Sequence, residues 1–434
     1  MQALVVVGLV TPRFPTSGEY FRLSFAGRQP RLWTVPLFYK LLPADALRVG
    51  GQVVLAAASW WVLASVASSL VRDRRVRLGL QIVILALGLL GPIAQWNSAI
   101  GDESVTISLT ALLVAAWLSY TQRPRVAAAV GIVAVSILWT FTRQDHVILT
   151  GLLALVVLTG AAFARVRKTQ RSALTGLVGI VLVLVSALGF VTASHDKSLE
   201  YVNLTAIIAS RVLTNEGYTL WFNAHGMPDT PAIQSYAGSL TPESLGANGQ
   251  FAEWVDAHGE HTYAQFLVTH PSYTLTHALP YITGEEPTQT HPAPEPFQNP
   301  DLVTSFVSPS ANWARHREVV PRLVQDVLFT PGQSADVTTL GAVAIGLALV
   351  ARKRKLLDRR LLVPTVVLGT VLPHIYVVWL TSATELDRHA LIVASSLRIA
   401  LWLMAAYSLD ALLGAQPASP AVDSARPVGL AADN

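Results

Sequence analysis

The chain has 434 residues, of which 52% are hydrophobic and only 13% are charged. Soluble domains carry about 25% charged residues, so the composition excludes an ordinary soluble enzyme, a disordered chain and a nucleic-acid-binding module. The net charge is +4, but the basic residues lie in short clusters, which indicates membrane topology rather than a nucleic-acid surface. Cysteine is absent, which excludes disulfides, thiolate metal sites and a cysteine nucleophile.

Apolar segments recur along the chain at nearly the length that a membrane-spanning helix needs, roughly 20 residues. They cover residues 52–71, 78–96, 104–120, 126–142, 147–164, 172–193, 337–351, 361–380 and 390–413. The apolar stretch 1–10 lacks the basic region and cleavage site of a signal peptide, so we interpret it as the outer half of a truncated first helix. The sequence therefore predicts an all-α polytopic membrane protein with about ten transmembrane helices.

Every second connection between these segments is basic. The basic residues are Arg72, Arg74, Arg75 and Arg77, then Arg123 and Arg125, then Arg165, Arg167, Lys168 and Arg171, and finally Arg352, Lys353, Arg354, Lys355, Arg359 and Arg360. Lys and Arg accumulate in cytoplasmic loops, so the intervening connections, which hold most of the acids, are predicted to be extracytoplasmic. This pattern predicts a bacterial plasma-membrane protein with both termini in the cytoplasm.

The predicted topology divides the chain into four regions. They are an N-terminal transmembrane module at 1–193, an extracytoplasmic insertion of about 140 residues at 194–336, C-terminal transmembrane helices at 337–414, and a disordered cytoplasmic tail at 415–434. Within the insertion, helices are predicted near 204–213 and 249–269, and a proline-rich irregular stretch at 285–300. Its scattered histidines match no tight metal motif, and the chain has no nucleotide-binding motif.

The first outer loop carries a lone acid, Glu19, shortly after the first apolar segment. A general base that takes the proton of an acceptor hydroxyl is one interpretation of this carboxylate, and a solvated loop carboxylate is the other. The following stretch 31–43 mixes aromatic, apolar and basic residues, as a helix lying in the membrane interface does.

Two short outer turns carry further candidates. Asp102 and Glu103 begin an apolar helix, where they would either orient an acceptor or a divalent cation, or cap the helix, with Asp102 at the N-cap position. Arg143, Asp145 and His146 lie in a turn so short that they are expected at the mouth of the bundle. Arg143 would bind a phosphate or pair with Asp145 to close the turn.

The last outer turn holds Glu385, Asp387 and Arg388, and Arg398 follows inside the last apolar segment. Ten residues of helix place Arg398 about 15 Å below Arg388, at hydrocarbon depth, where arginine is rare and usually functional. One cavity would hold both arginines, or Arg398 would belong to a buried structural ion pair. We interpret His374, in the preceding segment, as a packing histidine.

This arrangement resembles the GT-C class of integral-membrane glycosyltransferases, which includes protein O-mannosyltransferases and bacterial lipid-A and arabinan sugar transferases. The matching features are the early acid Glu19, the proline-aromatic run at 33–43, the acids before the helix at 97–118, the Thr-Arg-Gln-Asp turn at 142–145, and the basic residue after acids at 385–389. The chain's richness in Ala, Val and Arg suggests an actinobacterial source.

The resemblance implies transfer of a sugar, such as mannose or arabinose, from a polyprenyl-phosphate lipid to a glycan, lipid or protein acceptor hydroxyl, with inversion. Glu19 would be the base, and Arg143, Arg388 or Arg398 would stabilise the phosphate leaving group; no nucleotide is implied. Two other functions stay open from the sequence. A transporter would place polar residues near the midplane of two related halves, and a non-catalytic membrane partner would use residues 194–336 to bind envelope proteins.

Overall fold

A computed structural model describes residues 1–6, 15–166, 172–194, 198–239, 245–274, 319–328, 334–354, 359–383 and 386–414. Over these ranges the secondary structure is helical and contains no strand, which confirms the all-α prediction there. Predictions for the proline-rich stretch 285–300 and the tail 415–434 lie outside the described residues.

The helices are numbered in chain order. The first module contains α1 (Gln2–Val6), α2 (Thr34–Leu41), α3 (Asp45–Ser69), α4 (Arg74–Leu89), α5 (Gly91–Ala94), α6 (Glu103–Gln122), α7 (Val126–Thr140), α8 (Gln144–Val166) and α9 (Ser172–Ala193), with 3-10 turns at Pro15–Phe21 and Gln95–Ser98. The insertion contains α10 (Ser198–Ile207), α11 (Glu216–Ala224), α12 (Pro231–Gln234), α13 (Gly249–Trp254) and α14 (Glu260–Thr269), with π-helical turns at Ile208–Val212 and Val255–Gly259. The remaining described helices are α15 (Arg322–Leu328), α16 (Ser334–Lys353), α17 (Leu362–Thr381) and α18 (Leu386–Leu413).

A helix lies at each of the nine apolar segments, and helices also form at the three shorter stretches predicted outside them. Among the described residues, six helices are long and apolar enough to cross a membrane: Asp45–Ser69, Glu103–Gln122, Gln144–Val166, Ala173–Ala193, Arg359–Thr381 and His389–Leu413. The predicted single helix over 78–96 is wrong, because α4 ends at Leu89 and the chain continues through α5 and a 3-10 turn. Proline at the start of α5 begins this new helix, since its missing N–H is not needed there.

Helices α6 and α18 form the centre of the bundle. In each of them 72% of the spanning window is buried, against 33% to 39% in the other four candidate spans. Helix α18 packs against α4, α6, α16 and α17, and α6 packs against α3 and α7. One apolar cluster joins α3, α4, α6 and α18. The outer helices expose leucine, valine and phenylalanine instead, as a lipid-facing surface requires.

Up-and-down connectivity gathers the predicted outer turns at one end of the bundle. This end, called the cavity end below, holds the starts of α6, α8 and α18 and the last turns of α9 and α17. The insertion packs against the same end. Its Arg211 guanidinium lies over the Trp379 ring of α17, with 4.2 Å from Cζ to the ring centroid, and donates a hydrogen bond to Ser382 O at 2.8 Å.

The opposite end of the bundle is closed by a buried ion pair between Arg360 and Asp410. The Asp410 carboxylate also accepts hydrogen bonds from the backbone N–H groups of Arg72, at 2.9 Å, and Asp73, at 2.7 Å. Arg360 Nη1 donates in addition to Leu70 O at 2.8 Å. This pair therefore connects the α3–α4 turn, the residues before α17 and the last turn of α18.

Replacing Asp410 by alanine is expected to lower the free energy of unfolding by about 3–5 kcal/mol, because Arg360 would stay buried without its carboxylate. Asp73→Ala is the matched control. Asp73 is the N-cap of α4 and accepts from the N–H groups of Arg75 and Val76, so its loss should cost only about 1 kcal/mol. Thermal unfolding of the purified protein in detergent measures both, and equal effects of the two variants would contradict a special role for the ion pair.

Candidate active site

A cavity of about 470 Å³ lies at the cavity end, between the membrane helices and the insertion. The helix side of its wall contributes Arg31, Asp102, Arg143, Asp145 and His389. The insertion contributes Tyr201, Asn203, Asp256, Glu260 and Tyr263. The volume is within the roughly 300–1,000 Å³ typical of small-molecule sites. The fold thus brings three of the predicted acidic and basic turns to one concave surface.

Arg143 forms ion pairs with two acidic residues of this wall. Its Nη1 lies 3.2 Å from Asp102 Oδ2, and its Nε lies 3.0 Å from Asp145 Oδ1. All three side chains are buried, with 8% exposure or less for each residue. The predicted Arg143–Asp145 pair is confirmed, but it is a buried pair shared with a second helix rather than an exposed pair that closes a turn.

The turn before α6 positions Asp102. Gln52 Nε2 donates to Asn97 O at 3.1 Å and to Ala99 O at 3.0 Å, while Tyr39 Oη accepts from Gly101 N at 3.2 Å. Asp102 occupies the N-cap position, but its side chain makes no capping hydrogen bond. The N-cap interpretation of its carboxylate is therefore wrong, because the carboxylate faces Arg143 instead.

Glu103 is buried next to Tyr39 and is not part of the described cavity lining. Burial, with a smaller effect of the Glu103 charge, raises the pKa of Tyr39 well above its ordinary value. The Tyr39 hydroxyl therefore stays protonated, and its oxygen lies 2.6 Å from Gly101 O. Tyr263, on the insertion side, likewise has its pKa raised by burial, and its hydroxyl donates to Leu380 O at 3.0 Å.

The acid of the first loop, Glu19, pairs with a basic residue that sequence reasoning did not single out. Arg31 Nε lies 2.8 Å from Glu19 Oε2, and the Arg31 guanidinium lies over the Tyr20 ring at 4.9 Å from the centroid. Arg31 lines the cavity, whereas Glu19 does not and keeps 31% of its side chain exposed. Thr34 N donates to Phe141 O at 3.2 Å, which holds this segment beside the turn of Arg143.

Two histidines extend the network of Arg143 into the bundle. His374 Nε2 of α17 lies 2.9 Å from Asp145 Oδ2, so His374 is bound to a charged group and not only packed, as the sequence suggested. His146 is fully buried and stacks on Trp139, with 3.9 Å between ring centroids and 12° between planes. An ionisable residue inside an apolar span is a functional signal by itself, and it would have identified His374.

The structure describes only part of the predicted site residues near the last span. Glu385 lies outside the described residues, and of Asp387 and Arg388 the structure describes only the backbone, in the first turn of α18. Arg398 is 1% exposed and donates from Nη1 to Ala394 O at 3.1 Å. It is not part of the described cavity lining, so the lining does not support the expectation that one cavity holds Arg398 with the outer residues.

Comparison of the chain with protein-family models, with curated proteins and with solved structures finds no match.

Replacing Arg143 by methionine is expected to lower the free energy of unfolding by about 3–5 kcal/mol, because two buried carboxylates would lose their cation. Adding Asp102→Asn and Asp145→Asn to the same protein should recover part of the loss, since neutral side chains do not need the guanidinium. Arg143→Lys should not substitute fully, because a single ammonium does not reproduce the planar fork. Thermal unfolding in detergent measures all three, and a triple variant less stable than Arg143→Met would contradict the assignment.

Proposed function

We propose that this chain is a membrane glycosyltransferase that moves a sugar from a polyprenyl-phosphate donor to a hydroxyl group of a cell-envelope acceptor, on the extracytoplasmic face and with inversion. The proposal rests on the resemblance to the GT-C class and on one observation. That observation is the cavity of about 470 Å³ at the junction of the membrane helices and the insertion, with Asp102, Arg143 and Arg31 in its wall.

The position of the cavity suits a lipid-linked donor. Such a donor has a polyprenyl chain that stays among apolar side chains and a phosphosugar that needs polar ones. The wall supplies both, since Leu32, Val147 and Ile148 line the cavity beside the charged residues. The tyrosines and carboxylates of the insertion supply the stacking and hydrogen-bonding groups with which proteins bind sugar rings.

The geometry of inversion limits which groups can act together. The attacking oxygen and the leaving phosphate lie on opposite sides of the anomeric carbon, with reacting atoms about 3 Å apart and each catalytic group within another 3 Å of its oxygen. A base and an arginine that binds the phosphate are therefore separated by roughly 10 Å. Asp102 and Arg143, in contact at 3.2 Å, do not fill these two roles in one step.

Two ion pairs, Asp102–Arg143 and Glu19–Arg31, suggest an assignment in which the two roles fall to different pairs. Asp102 is the base, and Arg143 orients it. Arg31 binds the phosphate and stabilises the charge that develops on it, while Glu19 orients Arg31. This assignment differs from the roles that the sequence suggested for Glu19 and Arg143. Glu19 positions Arg31 instead of acting as the base, and Arg143 positions Asp102 instead of binding the phosphate.

Asp102→Asn is expected to lower kcat for sugar transfer by about 10²–10⁴-fold, the usual contribution of a general base. The assay is transfer in membranes from radiolabelled polyprenyl-phosphate mannose and arabinose, supplied separately, with envelope acceptors present. Glu216→Gln is the control, because Glu216 is exposed in the first turn of α11 and should leave transfer unchanged.

Glu19→Gln and Arg31→Gln distinguish the assignment with Asp102 as the base from the one with Glu19 as the base. If Arg31 binds the phosphate, both variants should raise KM for the donor, and Arg31→Gln should also lower kcat. Loss of kcat in Glu19→Gln with near-normal transfer in Asp102→Asn would instead make Glu19 the base. Absence of transfer from either donor by the wild-type protein would contradict the proposed function.

The proposed orientation of the cavity can be measured because the chain has no cysteine. Ser235→Cys, exposed in the insertion, should react with a membrane-impermeant maleimide in intact spheroplasts. Ser69→Cys, exposed at the opposite end of α3, should react only after lysis. The reverse pattern would place the cavity in the cytoplasm and exclude an extracytoplasmic reaction.

A further inference from the structure

Three side chains with metal-binding atoms meet beside the cavity, in a place that the spacing of the sequence does not reveal. Asp145, His146 and His374 are all buried, and one potential ligand atom of each lies within 4.8 Å of those of the other two. Asp145 and His146 begin α8, whereas His374 lies 229 residues after Asp145, in α17. Only the packing of α17 against α8 brings the three together.

The ring of His146 is oriented so that one nitrogen is available as a ligand. Its Nδ1 lies 3.1 Å from Trp139 O and 2.9 Å from Thr142 Oγ1. A carbonyl oxygen only accepts, so Nδ1 carries the proton and Nε2 carries the lone pair. Among the described residues His146 Nε2 has no hydrogen-bond partner, although the residue is completely buried. A buried acceptor of this kind is costly, and a metal ion would satisfy it.

Asp145 has the contacts that ligating carboxylates have in metal sites. Its Oδ1 accepts from Arg143 Nε at 3.0 Å, and its Oδ2 lies 2.9 Å from His374 Nε2. Arg143 Nε is closer to Oδ1 than to Oδ2, from which it lies 3.4 Å, so this contact fixes the carboxylate with Oδ2 toward His374. The hydrogen bond of His146 Nδ1 to Trp139 O is the corresponding contact for the imidazole. In metal sites, hydrogen bonds of this kind to the ligating side chains orient the ligands and tune the metal.

We propose that Asp145, His146 and His374 bind a divalent transition-metal ion such as Zn²⁺, which joins α8 to α17 at the wall of the cavity. Two imidazole nitrogens and one carboxylate oxygen favour this class of ion over Mg²⁺ and Ca²⁺, which prefer oxygen ligands. Three protein ligands leave a fourth position for water. Asp145 lines the cavity, so the proposed site adjoins a space from which water can reach that position.

Metal binding replaces the proton that His374 Nε2 donates to Asp145 Oδ2. In a neutral imidazole this proton moves to Nδ1, and in an imidazolium, whose Nδ1 already carries a proton, it leaves to solvent; in both cases the ligand is a neutral imidazole. In a tetrahedral zinc site, metal–nitrogen distances of about 2.0–2.1 Å place ligand atoms roughly 3.4 Å apart. Asp145 Oδ2 and His374 Nε2, which lie 2.9 Å apart, would therefore separate by about 0.5 Å, and pairs of ligand atoms at the 4.8 Å limit would approach by about 1.4 Å.

The first test is the metal content of the full chain, purified in detergent with an affinity tag that contains no histidine. After removal of metals by a chelator and dialysis against Zn²⁺, mass spectrometry should find about one zinc per chain. Titration with Co²⁺ should produce the visible absorption of a four- or five-coordinate site. Wild-type protein that takes up neither ion would overturn the proposal.

Substitutions identify the ligands. His146→Asn and His374→Gln should each weaken Co²⁺ binding by more than 100-fold, beyond the roughly 10–100-fold effect of removing an outer contact. His389→Gln is the matched control, because His389 lines the same cavity but does not belong to the cluster. Binding equal to wild type in the His146 and His374 variants would overturn the site.

A fourth variant keeps the test decisive if the others fold poorly. His146→Cys retains a ligand, and the chain has no other cysteine, so a cobalt–thiolate charge-transfer band in this variant would report ligation at this position alone. Folded His146→Cys protein that binds Co²⁺ without this band would overturn the assignment. These measurements do not involve sugar transfer, so they are decided independently of the proposed function.

Discussion

The cavity end of this protein depends on one guanidinium held by two buried carboxylates. Arg143 joins Asp102, at the start of α6, to Asp145, at the start of α8. Asp145 in turn contacts His374 of α17. Charges at this depth are expensive unless they are paired, and the pairing is satisfied only when these three helices have one particular rotation and depth. The network therefore fixes the positions of Asp102, Arg143 and Asp145 in the cavity wall.

Apolar contacts alone do not determine those rotations. Helices α7 and α17 have apolar residues around their whole circumference, so many orientations of each bury similar apolar areas. Polar groups at the two ends of the bundle determine the rotation and depth of the helices instead. The Arg360–Asp410 pair holds one end, and the Arg143 network holds the other. Between them, the central helices α6 and α18 contribute the apolar core.

The cavity combines contributions that come from distant parts of the chain. The first loop supplies Arg31, the turns of the bundle supply Asp102, Arg143 and Asp145, and the insertion supplies tyrosines and acids. In the proposed glycosyltransferase, the base and the group that binds phosphate belong to two different ion pairs. In the proposed metal site, the same Asp145 has a second role, because its Oδ2 lies 2.9 Å from His374 Nε2 and is the oxygen that would bind the ion. Both proposals place the chemistry at the junction of lipid and solvent.

The amino-acid sequence by itself determined the helical class, the presence of helix at each of the nine apolar segments and the residues of the short turns, because hydrophobicity over about 20 residues is a local property. It also identified Asp102, Arg143 and Asp145 as candidates, since ionisable residues between apolar spans are conspicuous. Only the tertiary structure decided their partners. The break after α4, the pairing of Glu19 with Arg31, and the contact of His374 with Asp145 depend on packing between distant segments. Sequence spacing contains no information on such contacts, because helix rotation and depth are settled by the whole bundle.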